Sequence, residues 1–399
     1  MIAVSKARLL IQENIKMMPV QVVSLAEAAG YTLAMDIYAK MDIPAFEQSS
    51  MDGYAIRYED RNLNLIPVGE MQAGGQTQYS LLPGQAIRIF TGAPLPENAD
   101  TVVMQEKVEL ADGILKILDK QLISGMNVRP KGAETKTGEL AIQKGCRLTP
   151  AAIGFLAGIG ETEVPVYGIP SVGVVITGKE LLQPGKELAF GQVYESNSYA
   201  LTAALRQAQI TKIKLYTADD QLDEVRLVME QALQNNDVVL LTGGVSVGDY
   251  DFVVKAAELN KVTQVFHKIK QKPGKPLYFG LKGQQAVFGL PGNPSSVLSC
   301  FYQYVLPALQ KMYAHVGVEK TQPGGLQIRE AVLTHEYKKA AGLTHFLKAY
   351  FENGNVTPLN AQESFRMSSF AQANCMIELA EEETGFPAGT KVKIHILPE

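Results

Sequence analysis

From Pro170 onward the chain alternates short continuous apolar runs with stretches whose apolar residues recur every three or four positions. Val172-Gly-Val-Val-Ile176, Ile213-Lys-Leu-Tyr216, Val238-Val-Leu-Leu241, Val262 to Ile269 and Ala286-Val-Phe-Gly289 read as strands. Between them, Leu201, Ala204, Leu205 and Ala208 share one face of a helix over 199–208, and Leu222, Val225, Met229 and Leu233 mark a second. Phe252 to Leu259 predicts a third. Ser295 to Met312, with Val297, Leu298, Phe301, Tyr304, Val305, Ala308 and Leu309 at steps of three and four, predicts a long amphipathic helix. Such alternation builds right-handed βαβ units and a mainly parallel, doubly wound sheet.

The flanks have other textures. From Val4 to Ala29 the pattern predicts a short helix, a Met-Pro-Val turn and a second helix. From Pro44 to about Cys146, β-like runs such as 85–90, 100–104 and 113–118 are punctuated by Gly-Gly, Pro-Gly and Asp-Gly pairs, as in a small all-β domain. Thr149-Pro150 then opens a helix, with a capping residue and proline at the first helical position. After Gln322-Pro-Gly-Gly325 the β texture returns in 328–337, 343–351, 376–380 and 388–397. The expected organisation is a helical and linking region (1–43 and 137–169), a β insertion (44–136), an α/β domain (170–320) and a C-terminal β domain (321–399).

Composition excludes more than it selects. With 399 residues, 46% hydrophobic and 20% charged, the chain is an ordinary globular protein of two to four domains. The 37 Lys and Arg against 41 Asp and Glu give a net charge of −4, which offers nothing to nucleic acid. No signal-like start and no bilayer-length apolar run is present, so a cytoplasmic protein without membrane contact is expected. Cys146, Cys300 and Cys375 are too few and too scattered for a disulfide framework or zinc site, and are expected as buried small hydrophobes. The five histidines include no pair at metal-ligand spacing.

The candidate chemistry clusters at the strand ends. Thr242-Gly-Gly-Val-Ser-Val-Gly-Asp-Tyr-Asp251, Lys272-Pro-Gly-Lys-Pro276 and Leu290-Pro-Gly-Asn-Pro-Ser-Ser296 follow one another closely. The first and third leave apolar strands and enter helices. At that edge helix amino termini offer unpaired N–H groups to an anion. The two lysines add charge, and Asp249 and Asp251 add hard oxygen ligands of the kind magnesium takes beside phosphate. Glu180 after the first strand and Asp219-Asp220 after the second fall on the same edge, so carboxylates after three strands converge on one crevice. Plainer readings stand beside these: a Gly pair as a tight turn, Asp249 or Asp251 as a helix cap, Asp219-Asp220 as turn and cap, Ser196 or Asn197 as a cap, and Asp52-Gly53 as a hairpin turn.

Taken jointly, Pro44 to Ala55 with its Ser-Met-Asp-Gly-Tyr-Ala ending, Thr91-Gly-Ala-Pro94, Val128-Arg-Pro-Lys-Gly132, Thr177-Gly-Lys-Glu-Leu181, Ser196-Asn197 and the three loops above resemble the MoeA family of molybdopterin molybdenumtransferases, in order and over essentially the whole chain. The resemblance implies a molybdopterin-binding-type central domain, a C-terminal β-barrel-like domain, and a homodimer whose cleft lies between the central domain of one subunit and the β insertion of the other. The implied reaction takes adenylylated molybdopterin and molybdate, depends on Mg2+, and releases AMP. Matched motif by motif, it gives catalytic roles to Asp52, Thr91, Glu180, Asp220, Asp251, Lys272 and Lys275, the first two reaching in from the partner subunit. The metal would be held by Glu180, Asp219 or Asp220, and Asp251. Ligand binding would fall to Gly243, Gly244, Ser246, Gly248, Asp249, Pro291, Gly292, Asn293, Pro294 and Ser295. Two departures stand out: Lys179 replaces a frequent Asp, and Lys348 is the nearest cation where the family tends to carry an arginine, which leaves the role of the terminal domain open. The competing readings are the adenylyltransferase that supplies the substrate, itself a candidate partner, and a noncatalytic dimeric scaffold.

Overall fold

The computed structural model describes residues 1–245, 252–314 and 324–398. The chain forms two compact units, one of Met1–Val22, Gly30–Ala34 and Pro165–Glu399, the other of Val23–Ala29 and Met35–Val164.

The larger unit is built on a six-stranded sheet. Its strands are β1 (Val172–Thr177), β2 (Ile213–Ala218), β3 (Val238–Thr242), β4 (Thr263–His267), β5 (Tyr278–Lys282) and β6 (Gln285–Leu290), in the order β2-β1-β3-β6-β5-β4. β2, β1, β3 and β6 are mutually parallel, while β5 pairs antiparallel with both β6 and β4. All of β1 and β3 is buried because both faces are covered, which is why these strands read as unbroken apolar runs. Val174 and Ile176 face one core with Leu201, Leu205 and Phe301; Val175 and Leu241 face the other with Val225, Met229 and Val253. Helices α1 (Asn197–Gln207), α2 (Leu222–Asn235) and α3 (Phe252–Leu259) thus wrap a doubly wound sheet. The pattern passes over β5, whose apolar run starts just after Pro276 and is broken by Gly280. It closes a two-residue hairpin onto β6 through Gly283, at φ +63°.

Two helical expectations change. After the helix Val4–Asn14, residues Val20–Ser24 are extended and only Leu25–Glu27 turn helically. Three β-branched valines directly after Pro19 favour the extended form. The long helix after β6 is continuous but interrupted: Pro294–Cys300 is α-helical, Phe301–Val305 is a π turn, and Leu306–Met312 is α-helical again. Pro307 has no N–H for the Gln303 carbonyl, and the Leu306 N–H reaches back five residues to Phe301.

The chain then closes a five-stranded barrel from Gln327–Leu333, Thr344–Glu352, Asn355–Pro358, Cys375–Leu379 and Lys391–Ile396. Leu347, Ala349, Val356, Ile377 and Ile394 fill it. Gln271–Lys272 adds to its edge, pairing in parallel with Thr344–His345.

The smaller unit carries a four-stranded sheet of Ile66–Met71, Gln85–Ile89, Gly53–Ile56 and Thr101–Met104, with a hairpin of Val108–Ala111 and Ile114–Ile117. Its strands alternate, Ala55, Ile87 and Val102 facing one core and Ile56, Ala86 and Val103 the other. The helix Pro150–Gly158 is capped as expected, Thr149 Oγ1 accepting the Ala152 N–H at 3.2 Å. Cys300 and Cys375 are buried and Cys146 is half-buried, all three as free thiols. Among the described residues no helix is long and apolar enough to cross a membrane.

Candidate active site

The carboxyl ends of β1, β3 and β6 lie side by side, since Ile176 pairs with Thr242 and Thr242 with Leu290. The chain leaves β1 for β2 on one side and β3 lies on the other, a topological switch point. Gly178 and Gly243 take φ values of +141° and +86°. A Cβ on Gly243 would stand 2.7 Å from Thr177 Oγ1, so only glycine lets the second loop close on the first. Thr177 Oγ1 donates to the Thr242 carbonyl at 3.1 Å, and Asn197 Nδ2 donates to the Gly292 carbonyl at 2.9 Å. These bonds hold three loops and the start of α1 together.

The helix ends are less open than the sequence suggests. At α1 neither Ser196 nor Asn197 caps through its side chain; the buried Glu195 carboxylate does, accepting the Ser198 N–H at 2.8 Å and its hydroxyl. At the helix after β6, Pro294 has no N–H to give and the Ser295 N–H donates to the Ser364 carbonyl at 3.1 Å. Positive charge is supplied instead by the loop 272–275. Lys270 is bound to Glu381 at 2.6 Å, whereas Lys272 and Lys275 are exposed and in no ion pair among the described residues. The His345 imidazole, buried beside this loop, is pushed down to about 4 by burial and by the charges of Lys339 and Lys272.

A cleft of about 780 Å³ opens over this edge. Glu180, Asp220, Gly243, Gly244, Lys272, Lys275, Pro291, Gly292, Asn293 and Pro294 all line it. Ser295 does not; it is fully buried, its hydroxyl unpartnered among the described residues. Asp219 is exposed and off the lining, and its carbonyl accepts the Gln221 N–H at 2.7 Å. Gln221 is the N-cap position of α2, so neither aspartate caps it. Ser246, Gly248, Asp249 and Asp251 lie outside the described residues. Among those described, no three His, Cys, Asp or Glu side chains gather as a metal cluster.

In the other unit Asp52 and Thr91 are joined to each other: Asp52 Oδ1 accepts both the Thr91 N–H and hydroxyl at 2.8 Å. These bonds, with the nearby Arg88 charge, hold the Asp52 carboxyl below its usual range. Asp52-Gly53 is not a hairpin tip. Gly53 begins a strand, where a Cβ would collide with the Val103 carbonyl at 1.9 Å.

The barrel contributes lining residues that no sequence motif marks. Leu343, Gln362 and Ser364 line the cleft, and Asn293 Nδ2 donates to Ser364 Oγ at 2.7 Å. Lys348 is off the lining; 2% exposed, its ammonium donates to the carbonyls of Ala361, Glu363 and Arg366 and so shapes the loop that carries Gln362 and Ser364. The absence of a short motif around 359–366 explains why pattern alone misses it.

A doubly wound domain whose switch-point cleft is lined by carboxylates and by lysines in no ion pair among the described residues defines an α/β protein with its candidate ligand site at the carboxyl edge of the sheet. Three family models cover nearly all of the chain: the MoeA N-terminal region (domains I and II) at residues 2–160, the probable molybdopterin binding domain at 173–311, and the MoeA C-terminal region (domain IV) at 330–397. The chain is 36% identical over 380 residues to a molybdopterin molybdenumtransferase of Haemophilus influenzae, covering 93% of this chain and 92% of that one. It is 34% identical over 390 residues to the protein of the same name in Staphylococcus aureus, covering 94% and 91%. A crystal structure of the molybdopterin biosynthesis MoeA protein from Pyrococcus horikosii superposes with a TM-score of 0.83 at 30% identity, over 99% of this chain and 98% of that one. The chain belongs to the MoeA family of molybdopterin molybdenumtransferases, and its role lies in molybdenum cofactor biosynthesis.

Proposed function

We propose that this protein inserts molybdenum from molybdate into adenylylated molybdopterin, with Mg2+ as its metal and AMP as the leaving group. The observation that carries this reading is the gathering of Glu180, Asp220, Lys272 and Lys275 in one cleft of about 780 Å³, a volume suited to a nucleotide-sized ligand. Two carboxylates of neighbouring loops, neither in an ion pair among the described residues, fit magnesium, which takes one or two protein carboxylates and completes its shell with water and phosphate oxygens. Glu180 and Asp220 would hold it, with Asp251 as a further candidate. When bound, magnesium neutralises charge at the phosphoanhydride that is to be cleaved.

Lys272 and Lys275 bind the tetrahedral oxyanion through charge-assisted hydrogen bonds, as point charges that suit molybdate. The glycine loops at Gly243, Gly244 and Gly292 allow the ligand close to the backbone, and Pro291 and Pro294 stiffen the third loop. Leu181 and Leu343 on the lining keep part of the cleft dry, which strengthens each charge interaction. In a homodimer, Asp52 would enter the partner's cleft already ionised and oriented by Thr91. The test is to supply adenylylated molybdopterin, molybdate and magnesium to the purified protein and follow AMP. AMP should form only when all three are present; no AMP with all three would refute the reading.

A further inference from the structure

Gln271 lies immediately before the lysine loop, only 1% exposed. A buried primary amide must satisfy two donors and one acceptor. Its Nε2 donates to the Pro273 carbonyl at 3.0 Å and the Gly274 carbonyl at 3.1 Å, and its Oε1 accepts the Tyr304 hydroxyl. Both turn carbonyls between the two lysines are therefore held from beneath by the Gln271 amide, with the Cys300 thiol as a second, weaker donor to Gly274 at 3.6 Å, and the amide oxygen is held by the Tyr304 phenol. Tyr304 is itself 1% exposed and sits in the π turn Phe301–Val305, so the register of that helix sets where its hydroxyl arrives. Burial raises the Tyr304 phenol well above its usual range, so it stays a donor. Packing leaves the turn no slack. A Cβ on Gly274, at φ +85°, would meet Cys300 Sγ at 2.5 Å and Gln271 Nε2 at 2.8 Å. The base of the loop is closed by backbone bonds from Ile269 and Leu277 to the Lys275 carbonyl, at 3.0 and 3.1 Å.

We propose that Gln271 is a positioning residue: locked by Tyr304, it fixes the Pro273-Gly274 turn and thereby the spacing of Lys272 and Lys275 that receives the oxyanion. This rests on the oxyanion reading of the two lysines. Gln271 lies on the cleft lining but is only 1% exposed, with both ends of its amide engaged by the turn and by Tyr304, so it acts through the turn and its loss should fall on oxyanion affinity and leave the pterin substrate's affinity alone.

The full-length protein is compared with Gln271→Met, Tyr304→Phe and the double variant. Without substrate, amide hydrogen exchange of the 270–278 peptide should be about 10-fold faster in Gln271→Met, because the Pro273 carbonyl loses its Gln271 donor and the Gly274 carbonyl keeps only the Cys300 thiol, 3.6 Å away. The half-saturating molybdate concentration should rise about 10-fold, that for adenylylated molybdopterin less than about two-fold. Tyr304→Phe should shift both readouts the same way by less, and the double variant should match Gln271→Met, because the phenol acts only through the amide. If Gln271→Met does not fold, Tyr304→Phe, which removes one hydroxyl, carries the test. Unchanged exchange of the loop overturns the proposal, as does faster exchange with equal rises in both half-saturations. Should the wild type show no molybdate-dependent turnover, the oxyanion reading falls, and the exchange arm still decides whether Gln271 holds the loop.

Discussion

Removing the carboxylate of Glu180 or Asp220 is expected to act on chemistry, since both side chains line the cleft and neither braces the fold through an ion pair among the described residues. Glu180→Gln and Asp220→Asn should lower kcat about 100-fold and raise the magnesium requirement, with thermal unfolding close to wild type. Asp219→Asn, off the lining, should change neither. The buried His345 offers a reporter of the site. Its imidazole is held down to about 4 by burial, then by Lys339 and Lys272, so relief of the Lys272 charge must raise it. Titration by NMR should show the His345 value moving upward both in Lys272→Met and when an oxyanion sits on the lysines; a downward or absent movement would remove Lys272 from its surroundings.

Among elements, the N-terminal helix Val4–Asn14 is tied to the barrel by charge. Arg8 pairs with Glu378 at 3.0 Å, and His395 Nε2 lies 2.7 Å from the same carboxylate. Burial works to raise Glu378, but the His395 hydrogen bond and the Arg8 charge outweigh it and bring the group down to about 2. A carboxyl lowered on folding contributes stability fully present above its unfolded value of 4.5, and loses it as pH falls from there through about 2. Glu378→Gln should therefore cost about 3 kcal/mol at pH 7 in urea unfolding, and the gap to wild type should close between pH 4.5 and 2. Elements also separate what pattern can reveal from what it cannot. β1, β3 and the glycine loops that follow them are legible because burial on both faces imposes unbroken apolar runs and loop closure imposes glycine. Val20–Ser24 and β5 are not, because a five-residue run beside proline carries too little periodicity to choose between helix and strand.

For the whole molecule, the reach of Ser364 to Asn293 across 71 residues depends on barrel closure, which no local motif encodes. The same holds for Gln271 and Tyr304, 33 residues apart and meaningful only once the π turn sets their register. Motifs name groups that line the cleft; the groups that hold them in place emerge from packing. The proposed homodimeric cleft makes its own demand: inactive Asp52→Ala and inactive Asp220→Asn subunits, mixed and allowed to exchange, should regain about one quarter of wild-type activity, from hybrid dimers that hold one intact cleft. Activity that stays at the level of the parents would mean that each cleft is completed within its own subunit. The central claim, that this cleft couples an oxyanion on two lysines to cleavage of a phosphoanhydride, is tested most directly by AMP release measured against molybdate concentration in wild type and in the Lys272→Ala, Lys275→Ala double variant. The expected result is a saturable dependence in the wild type whose half-saturation rises at least about 10-fold in the variant. AMP release that ignores molybdate, or an identical half-saturation in both proteins, would contradict it.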